Sequence, residues 1–450
     1  MESKRITSLT VVLLSCAVFL SYINSLWGSF QFDDFNVIVN NQRVHTWQAW
    51  LQDIQQGIRP LLKFTYTQNW TMGLSETGFH LTNVLIHSCN TLLVLQLSRR
   101  FVANFPALQA QSSLPFMAAL LFAVHPVHTE AVTYICGRSS ALMTLFYLSG
   151  LLFYIAGRVQ GKQWYLHVLT PLCMLFALSV KEIAVTFPFA LLLWELYNGG
   201  SVKAVIRSQW SSWVLLLASA IFFLLHPGYL SMVETSGHLN SLSGNISTQL
   251  LAFVYLSRQW LLPLWLNIDP DLPVLHGFAG LWPHALVLMA VLVMMLLTIR
   301  RRPWISFALA WAVLQLIPLY LFLPRLDVAN DRQLYLVSWP LALALVAELS
   351  LWLKPLAFRL VTGIVVIMLM SLTVSRNQDY RNEITLWEAT VKRSPEKARV
   401  QNNLGFAYML AGRKEEARVA FNASLQFDPK YYRARYNLIR LNDEANRQER

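Results

Sequence analysis

The sequence predicts an all-α integral membrane protein with a small, soluble helical appendix at its C-terminus, and three observations predict it. Of 450 residues, 55% are hydrophobic and only 13% are charged, about half the charged share of an ordinary soluble domain. The charge is also unevenly placed: residues 376–450 hold 15 Lys/Arg and 10 Asp/Glu, leaving 21 and 14 for the first 375. Within that charged tail, a pattern returns every 34 residues.

Apolar runs mark spans near 6–27, 79–97, 114–124 with flanks, 139–157, 164–180, 183–197, 211–226, 284–299, 304–323, 334–352 and 356–374. A run of roughly 20 apolar residues suffices to cross a bilayer core. No small-residue cleavage site follows the first run, so it reads as a retained anchor. A twelfth stretch, 248–266, carries Arg258 and Gln259 in mid-run and Pro263 near its end. The positive-inside rule decides whether it crosses. If it does not, Lys4/Arg5, Arg99/Arg100, Arg158/Lys162, Lys203/Arg207, Arg300–Arg302 and Lys354/Arg359 share one side, and 11 of the 14 acids of the membrane body lie opposite. The expectation is therefore about 11 spans, with 248–266 at the outer interface or re-entrant. Residues 1–375 form the membrane domain, with a first outer loop at 28–78, and 376–450 are extracytoplasmic.

Composition narrows the function. The net charge of +12 suits an anionic partner, although membrane topology explains much of it. No nucleic-acid module is present. Cys16, Cys89, Cys136 and Cys173 lie in or beside apolar runs without metal-ligand spacing.

Chemistry-bearing residues gather on the outer side. Asp33 and Asp34 follow the first span directly; desolvating carboxylates at a membrane face is costly, and an ionised member of such a pair can serve as a general base. The outer loop continues through Arg43, His45, Arg59-Pro60 and several aromatics suited to interfacial helices or to sugar stacking. His80 and His87 are seven residues apart, on one helix face; His87 reads as a packed histidine, His80 is left open. The third span ends in His125-Pro126-Val127-His128-Thr129-Glu130, closed by Gly137-Arg138. Two imidazoles and a carboxylate there can hold a divalent metal or orient a sugar, with Arg138 on a phosphate. Lys181-Glu182 and the segment Arg325 to Tyr335, with Asp331-Arg332, complete four polar loops around one end of the bundle. The outward cations Arg43, Arg59, Lys63, Arg138, Lys181, Arg258, Arg325 and Arg332 are candidate phosphate ligands or partners of the acids.

In the appendix, Asn403-Leu404 returns as Asn437-Leu438, Pro395 as Pro429 and Trp387 as Phe421. With Gly405, Tyr408, Gly412 and Ala417 this resembles the tetratricopeptide repeat, one full unit flanked by two partial ones. Such helical stacks bind polypeptides.

Taken in order, the acid pair, Arg59-Pro60, Phe79–His87, His125–Arg138, Lys181-Glu182, Asp331–Tyr335 and the trailing repeats resemble the transmembrane and tetratricopeptide-repeat O-mannosyltransferase-like proteins of the glycosyltransferase C (GT-C) superfamily. The resemblance implies a GT-C-like bundle, a polyprenyl-phosphate-linked sugar donor and a protein acceptor, or a glycan acceptor, at the outer face. It implies Asp33 as base, with Asp34 orienting it or the acceptor. Arg59, Arg138, Lys181 and Arg332 would then meet the phosphate, while His80, His125, His128, Glu130, Glu182 and Asp331 are binding candidates. No cofactor is implied with certainty beyond a possible divalent metal. A transporter would also place charges around a membrane cavity, but internal symmetry is absent and the charges gather at one face; a non-catalytic scaffold docking partners through the repeats would leave the acid pair and the His125–Arg138 loop without purpose.

Overall fold

The computed structural model describes residues 7–237, 241–277, 280–317 and 327–448. Lys4, Arg5, Arg325 and the end of the expected span 304–323 lie outside them. Among the described residues every regular element is a helix.

In chain order the helices are α1 (Ser8–Tyr22), α2 (Trp47–Asp53), α3 (Pro60–Thr71), α4 (Glu76–Ala103), α5 (Leu114–Val124), the single turn α6 (Thr129–Val132) and α7 (Arg138–Gln160). Then come α8 (Thr170–Leu178), α9 (Phe187–Tyr197), α10 (Val202–Leu225), α11 (Pro227–Gly237), α12 (Leu242–Leu261), α13 (Trp282–Thr298) and α14 (Pro303–Leu316). Helices α15 (Ser338–Trp352), α16 (Pro355–Asp379), α17 (Glu383–Arg393), α18 (Ala398–Leu410), α19 (Lys414–Phe427) and α20 (Tyr432–Gln448) complete the chain.

Among the described residues four helical stretches, Ser8–Trp27, Ile135–Gln160, Lys203–Leu225 and Pro355–Asp379, are long and apolar enough to cross a membrane, and five shorter apolar helices accompany them. The chain is a multi-pass membrane protein. The stretch read as ambiguous forms α12, which mixes polar and apolar residues on its buried face, from Asn245 and Gln249 to Phe253 and Trp260; it is not among the apolar spans.

Local chemistry sets the ends that matter. Proline disfavours helical backbone in the residue before it, so Pro126 stops α5 at His125, which is extended (φ −72°, ψ 125°). Helix α7 ends on Gly161, a left-handed C-cap (φ 69°) that glycine adopts without a Cβ penalty. Helix α4 carries a polar spine at helical spacing, His80, Asn83, His87, Asn90 and Thr91, all buried. Buried polar groups need partners, and these find them across the bundle. Asn83 Nδ2 donates to the Val132 carbonyl (3.1 Å), His87 pairs with Tyr335 Oη (2.6 Å), and Asn90 Nδ2 donates to the Ala141 carbonyl (2.8 Å).

At the C-terminus, α18 and α19 pack as an antiparallel pair. A Cβ on Gly405 would lie 2.6 Å from the Phe421 ring, so the close approach of the two helices needs a glycine opposite this aromatic. Helix α16 runs without a break past residue 375. Leu386, Trp387, Val400 and Leu404 join the same apolar core as the membrane helices, whereas Met409, Ala417, Phe421 and Leu441 form a small cluster of their own.

Candidate active site

The acid pair splits into two environments. Asp34 is 1% exposed; its Oδ2 accepts from the Gln31 N–H (3.0 Å) and its Oδ1 from the Cys136 N–H (2.9 Å). Both carboxylate oxygens are thus spent on backbone, tying the first outer loop to the turn before α7. Burial pushes the Asp34 carboxyl up to about 7, against the two N–H groups that favour its charge. Asp33 is only partly buried; its N–H donates to Tyr134 Oη (3.1 Å). Burial raises its pKa, and Arg332 and Arg399 pull it back toward the carboxylate while Asp327 opposes them.

The loop that presents Asp33 is strained and clamped. Phe32, immediately before it, is left-handed (φ 50°), a conformation costing a non-glycine residue on the order of 1–3 kcal/mol. The C-terminal helices hold it there. Glu383 Oε1 accepts from the Phe32 N–H (2.5 Å), Trp387 stacks edge-on against the Phe32 ring at 5.1 Å, the Ser29 N–H donates to the Arg381 carbonyl (3.1 Å), and Gln31 Nε2 donates to the Tyr380 carbonyl. Arg59 is the other non-glycine residue with positive φ (57°) among those described. Its guanidinium makes a two-pronged contact with Glu182, 2.8 Å on each arm.

Arg332 is the first of the two cations that act on Asp33. Glu130, 1% exposed, accepts from the Arg332 N–H (3.1 Å) and meets its guanidinium at 3.4 Å. Asp331 next to it accepts from the Asn267 N–H (3.0 Å). Burial and the charge of Glu130 raise its carboxyl to about 8. Lys181 donates to Ser140 Oγ (2.7 Å), and Lys181, Ser140, Arg332 and Gln333 line one narrow cleft. Beside Arg59 opens an apolar cavity of about 320 Å³ lined by Pro60, Leu178, Leu215, Phe222, Phe223 and Tyr229 among others.

Several expected ligands are used elsewhere. Arg138 is fully buried. It donates to Asn83 Oδ1 (2.6 Å), to the Thr65 carbonyl and hydroxyl (3.2 and 3.1 Å) and to the Phe79 carbonyl (2.9 Å), with its guanidinium over the Tyr66 ring. It braces α3, α4 and α7 and leaves no face for a phosphate. His80 pairs with the Gly28 carbonyl (3.1 Å). His125 accepts from the Val127 N–H, pairs with the Trp260 carbonyl (3.2 Å) and stacks on that ring. His128 pairs with the Phe122 carbonyl (2.9 Å) among aromatic rings. Burial keeps His125 and His128 neutral. The His125, His128 and Glu130 set therefore points three ways, and among the described residues no three potential metal ligands converge.

Other residues reached the site without a local signal. Arg399, inside the repeat, pairs with Asp327 (2.5 Å) and with Asp269, which also takes Lys397 (2.6 Å). Alternating charge in the tail reads as a solvated surface, so only the fold reveals that two of its cations turn toward the membrane body.

No family model matches the chain. Curated relatives do. It is 24% identical over 94% of its length to protein O-mannosyl-transferase F38B6.6 of Caenorhabditis elegans, covering 63% of that protein. It is 26% identical over 99% of its length to protein O-mannosyl-transferase TMTC3 of mouse, covering 53%. The chain is similar in sequence to protein O-mannosyl-transferases. It spans between half and two thirds of the length of these relatives. Human protein O-mannosyl-transferase TMTC4 is 33% identical over 32% of this chain. Among solved structures, ArnT from Cupriavidus metallidurans bound to undecaprenyl phosphate aligns with 94% of this chain and 76% of its own, at TM-score 0.47 and 16% identity.

Proposed function

We propose that the chain is a GT-C-type glycosyltransferase that moves a sugar, a monosaccharide such as mannose, from a polyprenyl-phosphate carrier to a hydroxyl of a protein acceptor on the non-cytoplasmic face. The reading takes about 11 spans, a membrane domain over 1–375 and repeats on the outer side. One observation carries it: a partly exposed carboxylate, Asp33, is held on a strained, clamped loop within the field of Arg332, while its neighbour Asp34 is consumed by backbone N–H groups. Strain of this kind collects at working sites.

In the proposed step, the Asp33 carboxylate takes the proton of the acceptor hydroxyl as that oxygen attacks the anomeric carbon. The bond from that carbon to the carrier's phosphate oxygen breaks, and the lipid phosphate leaves with the electron pair. A phosphate already ionised needs cations and no general acid. Arg332 and Lys181 share the cleft that supports this role, and Arg59 directly precedes Pro60 in the wall of the apolar cavity suited to the start of an isoprenoid chain. Glu130 keeps Arg332 aimed, and Asp34 positions the base and does not serve as one. Names of the relatives support the mannose and protein parts of the reading.

The test is consumption of radiolabelled polyprenyl-phosphate sugar by purified protein, with Asp33→Asn and Asp34→Asn compared at equal membrane insertion. Asp33→Asn should lose at least 10²-fold in turnover with donor binding kept, in the range of a positioned base. Full turnover in that variant removes the base assignment.

A further inference from the structure

A second cavity, of about 360 Å³, lies apart from the lipid-side cavity, where the end of α12, the stretch after it and the last turn of α17 meet. Tyr255, Arg258, Trp265, Asp271, Lys392 and Arg393 are among its lining. The size is that of a ligand pocket, but the lining is charged and hydrogen-bonding, unlike the apolar cavity by Arg59.

Its charge is not balanced. Three cations face one acid, Asp271. Arg393 has a carboxylate partner in Asp379 at 3.3 Å, yet Arg376 holds the same oxygen at 2.5 Å, so two guanidiniums share one charge. Arg258 lies over the Trp265 ring at 5.2 Å, and among the described residues neither Arg258 nor Lys392 has an acid within ion-pair distance. The walls are fixed in place. Ser394 Oγ accepts from Asn267 Nδ2 (2.7 Å) and from the Asp271 N–H (3.0 Å), and donates to the Asp269 carbonyl (3.1 Å). Asp269 in turn is held by Lys397 and Arg399. A preorganised, net-positive cavity favours an anionic ligand without rearrangement.

The cavity shares a wall with the candidate active site. The Asn267 N–H holds Asp331, and the next residue, Arg332, acts on Asp33. Residues 271–276 lead out of the cavity as a mostly exposed, non-helical segment, held at Asp271 by Ser394 after α17 and at Leu275 by Thr248 of α12. We infer that this cavity binds an acidic side chain of a polypeptide whose neighbouring Ser or Thr hydroxyl is presented to Asp33. The C-terminal helix in the wall and the polar lining favour a peptide over an acyl-chain lipid. This inference rests on the protein-acceptor reading, but the binding it asserts is measured without transfer.

The experiment uses the full chain in nanodiscs of zwitterionic lipid and two labelled peptides, one with Ser/Thr flanked by Asp and Glu, the other with Asn and Gln in their place. The acidic peptide should bind at least tenfold tighter, with a preference that weakens as salt is added. Arg258→Glu combined with Lys392→Glu, at two exposed positions, should abolish that preference and leave the melting temperature and donor binding unchanged. Equal binding of the two peptides, or a preference that survives the double variant, overturns the assignment. So does loss of peptide binding in anionic-lipid nanodiscs by competition that depends on Arg258 and Lys392, which would make the cavity a headgroup site. Charge-dependent binding with no transfer to either peptide keeps the cavity assignment and defeats the transferase reading instead.

Discussion

Replacing Gly137 by Ala tests how tightly the acid pair is built. A Cβ at this position would lie 1.8 Å from the Glu130 carbonyl oxygen and 3.0 Å from Ala131 Cα. Because Cβ contacts under 3.0 Å are essentially never seen, the turn must open by more than about 1 Å, and the obstacle is backbone that no rotamer change relieves. The backbone angle is ordinary (φ −61°), so the penalty is purely steric, of the order of 1–3 kcal/mol for overpacking. The moved atoms are the ones that matter. Cys136, one residue back, holds Asp34, Arg138, one residue on, braces three helices, and Glu130 aims Arg332. A displacement of about 1 Å at a reacting centre costs roughly 10²-fold in rate. Gly363→Ala is the control: its Cβ meets nothing within 4 Å inside α16, and Ala is favoured over Gly in a helix by about 1 kcal/mol. The assay pairs thermal unfolding in detergent with sugar transfer from labelled donor. Wild-type melting and turnover in Gly137→Ala would refute the close-packed turn; Gly363→Ala should melt no lower than wild type.

Three other outcomes follow from the same contacts. Glu182→Ala should destabilise the protein by somewhat less than the 3–5 kcal/mol typical of breaking a fully buried ion pair, because the Arg59 side chain keeps 27% exposure; Arg59→Met with Glu182→Met should recover much of that stability in unfolding assays without recovering lipid-phosphate binding. Glu383→Ala removes acceptors from the Phe32 N–H and from Trp387 Nε1, an unsatisfied-donor cost of about 1–3 kcal/mol, and should lower turnover with donor affinity unchanged, measured by the split between kcat and KM. The Asp34 carboxyl, raised to about 7 by burial, takes up a proton on folding. Its contribution is therefore fully present below pH 4 and is lost as pH rises toward 7, with a slope of up to about 1.4 kcal/mol per pH unit. Asp34→Asn should flatten unfolding free energy against pH across that window, and an unchanged slope would place the titration elsewhere.

Periodicity and charge asymmetry made the helical membrane body and the repeat legible, because both follow from covering apolar surface at a fixed spacing. The division between Asp33 and Asp34 was half legible. Adjacent acids after a span announce a site, but which of them keeps free oxygens depends on where the Gln31 and Cys136 N–H groups point. The polar residues of α4 and of the His125–Arg138 turn illustrate the opposing case. Inside a bundle each donor and acceptor must be satisfied by protein, and carbonyls freed by the breaks at His125 and Gly137 are close at hand. Asn83 bonds the Val132 carbonyl, His87 that of Ala123, His128 that of Phe122, and Thr373 that of Val124. These polar side chains gather near the site because broken helices surround it, so their density marks the place without naming the chemistry. What distinguishes Asp33 and Arg332 from them is residual exposure together with opposite charge. That pair of properties arises only when the 331–335 segment, the first outer loop and the C-terminal helices meet, which no single window of sequence contains.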